Sequence, residues 1–162
     1  MEFLIDWFFS LPHEWLVFFS AMLPVIELRG AIPLAMGVWG MNVWQAYFWS
    51  VLGNFLISVF VLFALEKLSR FLMNRFQWIH QILSFLFKRT ERLHTKKIEY
   101  WGAAALILFV AIPLPMTGAW SACFAAFVFR VPVRLALVYI LTGLLISGVI
   151  VSLLSLGVIH FF

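Results

Sequence analysis

A chain of 162 residues that is 65% hydrophobic, with a mean hydropathy of +1.06, lies far above the roughly 45–50% apolar usage of soluble domains; its class is integral membrane, and its size is that of one domain. Its single cysteine, Cys123, excludes an internal disulfide, and His13, His80, His94 and His160 are too scattered to form a metal site. The net charge of +4 is concentrated: Lys67, Arg70, Arg75, Lys88, Arg89, Arg92, Lys96 and Lys97 are eight of the 11 basic residues. By the positive-inside rule that stretch is cytoplasmic, a face toward anionic headgroups and not a nucleic-acid site.

Residues 1–14 carry Glu2, Asp6 and Glu14 with no Lys or Arg. They lack the basic start of a signal peptide and are expected in the mature chain, on the outer side of the membrane. Trp15 to Ile26 is an apolar half-segment of 12 residues, about 18 Å as a helix and too short for a hydrocarbon core roughly 30 Å thick. It runs into Pro24, Glu27, Arg29, Gly30 and Pro33, where an acid and a base stand in an apolar run. Charge at such a depth costs on the order of 2.5–3.5 kcal/mol per residue and marks a cavity or a partner. In a helix, residues two apart point roughly 200° apart. An extended or turn-like break at this motif, favoured by its glycine and prolines, would aim both side chains into one cavity.

Ala31 to Met41 is a second half-segment, and Val43 to Leu65 is a continuous apolar run of 23 residues containing Gly53 and Asn54, long enough to span. From Glu66 to Trp101 the chain is too charged to span. Phe71, Phe76, Ile79, Ile82 and Leu86 recur there as in an amphipathic helix lying on the inner leaflet. Gly102 to Phe129 is 28 residues without a formal charge, interrupted by Pro113, Pro115, Thr117 and Gly118. Such a break is tolerated in a membrane only where protein or a water-filled cavity covers the backbone, so this is a second broken segment. Arg130 and Arg134 follow, then a long apolar run from Leu135 to Ile159.

The halves correspond. Gly30 and Gly118 each precede an alanine, and Gly53 to Ser58 is similar to Gly143 to Ser147. Paired interruptions in corresponding places point to a transporter's binding site. If both breaks are re-entrant hairpins, Arg130 and Arg134 fall on the same side as the central basic cluster, whereas full crossings would put them outside against the charge rule. The expected fold is therefore all-α integral membrane: two inverted repeats, each a re-entrant hairpin followed by a transmembrane helix. Residues 1–65 form the first repeat, 66–101 a cytoplasmic amphipathic linker and 102–162 the second repeat, in a single domain.

The motif Glu27-Leu28-Arg29-Gly30-Ala31-Ile32-Pro33, with Pro113-Leu114-Pro115-Met116-Thr117-Gly118-Ala119-Trp120 and the intervening Gly53-Asn54, resembles the small multidrug export protein family, over nearly the whole chain. More distantly the pattern is similar to the DedA/VTT superfamily of lipid translocases, whose second hairpin carries arginine where this chain has Thr117. The resemblance implies a multi-pass protein of the bacterial cytoplasmic membrane that exports an amphiphilic substrate.

The candidate substrate- and proton-binding residues are Glu27, Arg29, Gly30, Pro33, Asn54, Pro113, Pro115, Thr117 and Gly118. Arg29 and the helix N-termini suit an anion, while Glu27 can neutralise Arg29 or take up a proton. Transport past a midplane site between two hairpins, coupled to protons through Glu27, is the leading expectation. A translocase of a phosphorylated lipid carrier such as a polyprenyl phosphate, and a non-transporting assembly factor, are the alternatives. No phosphate loop, cofactor motif or base-partnered nucleophile points to an enzyme. A homodimer is expected, to cover the broken segments in the bilayer.

Overall fold

The structure, a computed structural model, describes residues 12–75, 96–114 and 117–161, and every regular element among them is an α-helix. Helix α1 spans His13–Met22, α2 Glu27–Gly37, α3 Val43–Arg75, α4 Lys96–Ala111, α5 Ala119–Val128 and α6 Val133–Phe161. Two of them are long and apolar enough to cross a membrane, over Val43–Phe71 and Val133–Val158. The ten residues of α1 and of α5 reach only about 15 Å, half of the hydrocarbon core.

Proline sets both interruptions. Leu23, at φ −73° and ψ 135°, is extended because Pro24 follows it and excludes the helical region, and this ends α1. One turn later the chain re-enters a helix at Glu27, whose φ of +48° is left-handed. The break thus lies at Leu23 to Ile26, just ahead of the Glu27–Pro33 motif. Gly30 and Pro33, expected within the break, are inside α2. Pro33 brings no N–H to the Arg29 carbonyl four residues back, and its exposed ring lies on the outer side of the helix. In the second interruption Ile112 ends α4 immediately before Pro113, and α5 starts from the extended Gly118. Pro115 lies outside the described residues.

Glu66 does not end the long helix. Helix α3 continues through it to Arg75, with an Arg70–Glu66 ion pair on its exposed flank, so the first ten residues assigned to the linker extend the spanning helix beyond its apolar stretch. Lys96 to Trp101 likewise open α4. The amphipathic pattern from Phe76 to Leu86 lies outside the described residues.

The chain divides into two compact units, and each draws on both long helices. The first holds α1, α2, α3 to Ile57 and α6 from Leu144; the second holds α3 from Ser58, α4, α5 and α6 to Gly143. In the first unit α1 packs on α2, and Val17, Ala21, Ala31, Ala35 and Ala46 form a fully buried cluster of small side chains. The backbones come close where α3 crosses α1: a Cβ on Gly53 would collide with the Phe18 carbonyl oxygen, and its carbonyl carbon would stand at 3.1 Å. Further on, Gly148 of α6 packs under Tyr47 and Val51, and the Tyr47 hydroxyl donates to the Leu145 carbonyl at 3.2 Å.

In the second unit α4 packs on α5, whose Ala119, Ala122, Cys123 and Ala126 are buried. Gly143 of α6 meets α4 as Gly53 meets α1: a Cβ there would stand 2.6 Å from the Val110 Cβ and 2.9 Å from the Ile107 oxygen.

Several of these features recur 90 positions apart. Left-handed Gly40 (φ +59°) and Arg130 (φ +53°) precede α3 and α6; Ala46 and Ala136, both fully buried, donate to the carbonyls of Asn42 and Pro132 at 2.9 Å; and Gly53 and Gly143 make the close approaches. Arg130 closes α5 with bonds from its own N–H to Phe127 and from the Val131 N–H to Ala126, the helix-ending pattern that ordinarily uses glycine.

Candidate functional site

Glu27 and Arg29 are brought together. Glu27 Oε2 lies 3.3 Å from Arg29 Nη2, and their side chains are 9% and 20% exposed. Two residues apart in a regular helix they would diverge; the left-handed φ of Glu27 takes its side chain off the helical direction and lets the pair form. A non-glycine residue in that region costs on the order of 1–2 kcal/mol, so the tip holds an acid in a conformation that glycine would adopt freely.

The depth of this pair follows from contacts within the first unit. Gly53, on the Phe18 carbonyl, is ten residues into α3, about 15 Å from its start at Val43. Phe18 is itself one turn from the end of α1, so the α1–α2 tip stands about half-way along the span. Helix α2 returns from there so that Ala31 and Ala35 pack with Ala46 in the first turn of α3. Stepping back from Ala35 to Ala31 to Glu27, and forward from Ala46 to Ser50 to Asn54, covers two helical turns in each helix, which sets Glu27 and the fully buried Asn54 at a similar level. Gly30 lies within α2 one turn after the break, where an added Cβ would stand 2.7 Å from the γ2 methyl of Ile26 and 3.6 Å from its Cβ.

The second tip belongs to the other unit. There the Thr117 hydroxyl is turned inward on its own loop: it lies 2.9 Å from the carbonyls of both Ile112 and Leu114, to which its one proton is donated, and it accepts from the Leu114 N–H at 3.2 Å. Thr117 thereby ties the two sides of the break together. Capping of α5 is left to Ser121, whose Oγ accepts from the Gly118 N–H at 3.0 Å. Pro113 is half-buried and Gly118 buried.

The interior holds polar groups of which the sequence reading singles out only Asn54 as a site residue. Ser50, Asn54, Ser58, Ser147, Ser152 and Ser155 are all buried. The usual partner of a hydroxyl in a spanning helix is the carbonyl one turn back, as in Thr142 to Val138 and Ser155 to Val151, both at 2.8 Å. Ser50 Oγ and Ser152 Oγ have no hydrogen-bond partner at all. A buried polar group left so costs about 1–3 kcal/mol. The signal available in the sequence was the spacing of Ser50, Asn54 and Ser58, one polar residue per turn within the apolar stretch from Ala46 to Leu65. Among the described residues no group of three or more His, Cys, Asp or Glu side chains could hold a metal ion.

No curated protein and no solved structure matches the chain. Residues 27–150, from the strained glutamate just after the first break, through the second break and into the last spanning helix, match the family described as “Putative small multi-drug export protein”; the chain is a membrane protein and belongs to that family.

Proposed function

We propose that this protein is a transporter that carries an amphiphilic substrate past a polar site at the tip of the first broken segment. In this reading Glu27 and Arg29 engage the substrate's polar head, the apolar part stays in lipid, and proton uptake by Glu27 releases Arg29 and couples transport to a proton gradient. Each broken segment is a re-entrant hairpin, and the two halves are inverted repeats. The observation that carries the reading is the Glu27–Arg29 pair, nearly buried and half-way along a span. An ion pair there has a large desolvation penalty that a purely structural element could avoid with apolar residues.

The features repeated at a spacing of 90 support the duplication. The charge distribution supports the inversion, since Arg130 and Arg134 then share a side with the central basic cluster. Membership of an export family fits a transporter rather than an enzyme. A second reading, translocation of a phosphorylated lipid carrier, is favoured by one observation: Arg29 is the more exposed member of the pair, so a forked cation suited to phosphate is what the site presents.

Purified protein in liposomes separates the two. Movement of a cationic dye under an imposed pH gradient that is lost in Glu27→Gln supports proton-coupled export. Movement of a polyprenyl phosphate that is lost in Arg29→Ala supports the lipid carrier and overturns the first reading. Activity of both variants equal to wild type refutes a role for the pair.

A further inference from the structure

Interior positions 90 residues apart in the chain are filled with opposite chemistry. Ser50, Asn54 and Ser152 are buried in the first unit; 90 positions away stand Ile140, Leu144 and Leu62, all buried as well. Aliphatic side chains therefore satisfy the packing at these positions, and the polar side chains are not required by it.

Their placement is specific. On α3, Ser50 lies between the face that meets α1 through Gly53 and the face that meets α6 through Tyr47 and Val51. On α6, Ser152 is one turn beyond Gly148, the residue packed under Tyr47 and Val51. The same seam thus carries both unpartnered hydroxyls, together with Asn54 at the level of Glu27. Each hydroxyl can donate one hydrogen bond and accept others. That two-way capacity matches water better than it matches a bare cation or an anion.

We propose that the seam between the first part of α3 and the last part of α6 is a water-binding path that brings protons to Glu27. A proton arriving at the surface passes along waters held by Ser152 and Ser50 and adds to a Glu27 oxygen, giving the neutral acid; the water file is restored by re-protonation from solvent. Among the described residues of this unit the charged side chain beside Glu27 is Arg29 on α2: α3 carries no charged side chain from Val43 to Ile57, α6 carries none from Leu144 to Val158, and on α1 His13 and Glu14 lie at the far end from the tip. Tyr47, between the helices, donates its proton to the Leu145 carbonyl and stands outside the file.

The inference rests on Glu27 as the proton-exchanging group, yet its test needs no transport. In a Cys123→Ala background, cysteine is introduced singly as Ser50→Cys, Ser152→Cys, Ile140→Cys and Leu62→Cys, and the protein in liposomes is exposed to 2-aminoethyl methanethiosulfonate. Thiols left unreacted are counted with a fluorescent maleimide after denaturation. Because the reacting species is the thiolate, which forms only with water present, the two serine positions should react at least about tenfold faster than the two aliphatic ones. Truncating Ile140 or Leu62 opens space and raises their background, so the comparison is biased against the expected result. Equal rates at all four positions overturn the path.

A variant that misfolds is replaced by Ser152→Leu, which copies the residue 90 positions earlier, Leu62: it should keep the thermal stability of wild type and slow deuterium exchange of the Glu27 carboxyl seen by infrared spectroscopy, and unchanged exchange overturns the path. Reactive serine positions with a Glu27→Gln that still transports would leave the path standing and remove the coupling. Unreactive ones with an inactive Glu27→Gln would do the opposite.

Discussion

Replacing Gly53 by alanine tests the geometry on which the depth of the first tip depends. A Cβ at this position would overlap the Phe18 carbonyl oxygen and approach its carbon to 3.1 Å. The obstacle is helix backbone and cannot rotate aside, so α1 must move away from α3 by roughly 1 Å to restore an ordinary C···O contact of about 3.3–3.6 Å. Overpacking of this kind costs typically 1–3 kcal/mol, and a backbone clash belongs at the upper end. Alanine returns about 1 kcal/mol through its better helix propensity. The net is about 2 kcal/mol of destabilisation, or a fall in Tm of roughly 4–8 °C for a chain of this size. Gly37→Ala and Gly157→Ala are the controls: both sites are helical, with nothing within 4 Å of an added Cβ, and they should gain up to about 1 kcal/mol. Thermal unfolding of purified protein in detergent, followed by tryptophan fluorescence, reads all three. Gly53→Ala as stable as Gly37→Ala would refute the close approach and the placement of the tip with it. Gly143→Ala, against Val110 and Ile107, should behave as Gly53→Ala does.

Arg130→Gly should raise stability by about 1–2 kcal/mol, because glycine adopts the left-handed conformation without the Cβ conflict that arginine bears there, while Arg130→Ala keeps that conflict and gains nothing; the same melting assay distinguishes them. Thr117→Val should lower stability by about 0.5–1.5 kcal/mol through loss of the hydroxyl's bonds across the break, the Ile112 and Leu114 carbonyls keeping those from the Leu114 and Thr117 N–H groups, and Thr117→Ser should restore most of it.

Much of this fold is written in the chain's punctuation. Pro24 and Pro113 fix the ends of α1 and α4 because the residue before a proline leaves the helical region, and the apolar runs fix the two long helices. Gly30 and Pro33 misled for a physical reason: a proline whose ring faces away from the protein can remain within a helix. The left-handed φ of Glu27 had no signal at all, since nothing in its neighbours favours that conformation for an acid; it arises from the route the chain takes from Pro24 into α2. Hydropathy marks where apolar character ends, not where hydrogen bonding does, which is why α3 runs on past Glu66 to Arg75. The pair Glu27 and Arg29 stood out by charge. Ser50 and Ser152 did not, because a serine that bonds its own helix and one that leaves its hydroxyl unpartnered look identical in sequence.

Breaking a helix within a membrane exposes backbone groups that lipid cannot satisfy, so neighbouring helices must come close enough to cover them. Close approach demands small side chains, and these stand where coverage is needed: Ala21, Ala31, Ala35 and Ala46 around the first break, and Ala119, Ala122, Cys123 and Ala126 along α5 after the second, with Gly53 and Gly143 at close crossings. The alanine-rich faces and the prolines are thus two parts of one design, since each proline creates a gap that the small residues allow a neighbour to fill. Small residues of this kind serve both broken segments, whereas the buried polar side chains Glu27, Ser50, Asn54 and Ser152 depart from what coverage alone demands. At the positions 90 residues from Ser50, Asn54 and Ser152 stand Ile140, Leu144 and Leu62, equally buried, so aliphatic side chains meet the same demand for coverage and the polar ones are there for another reason.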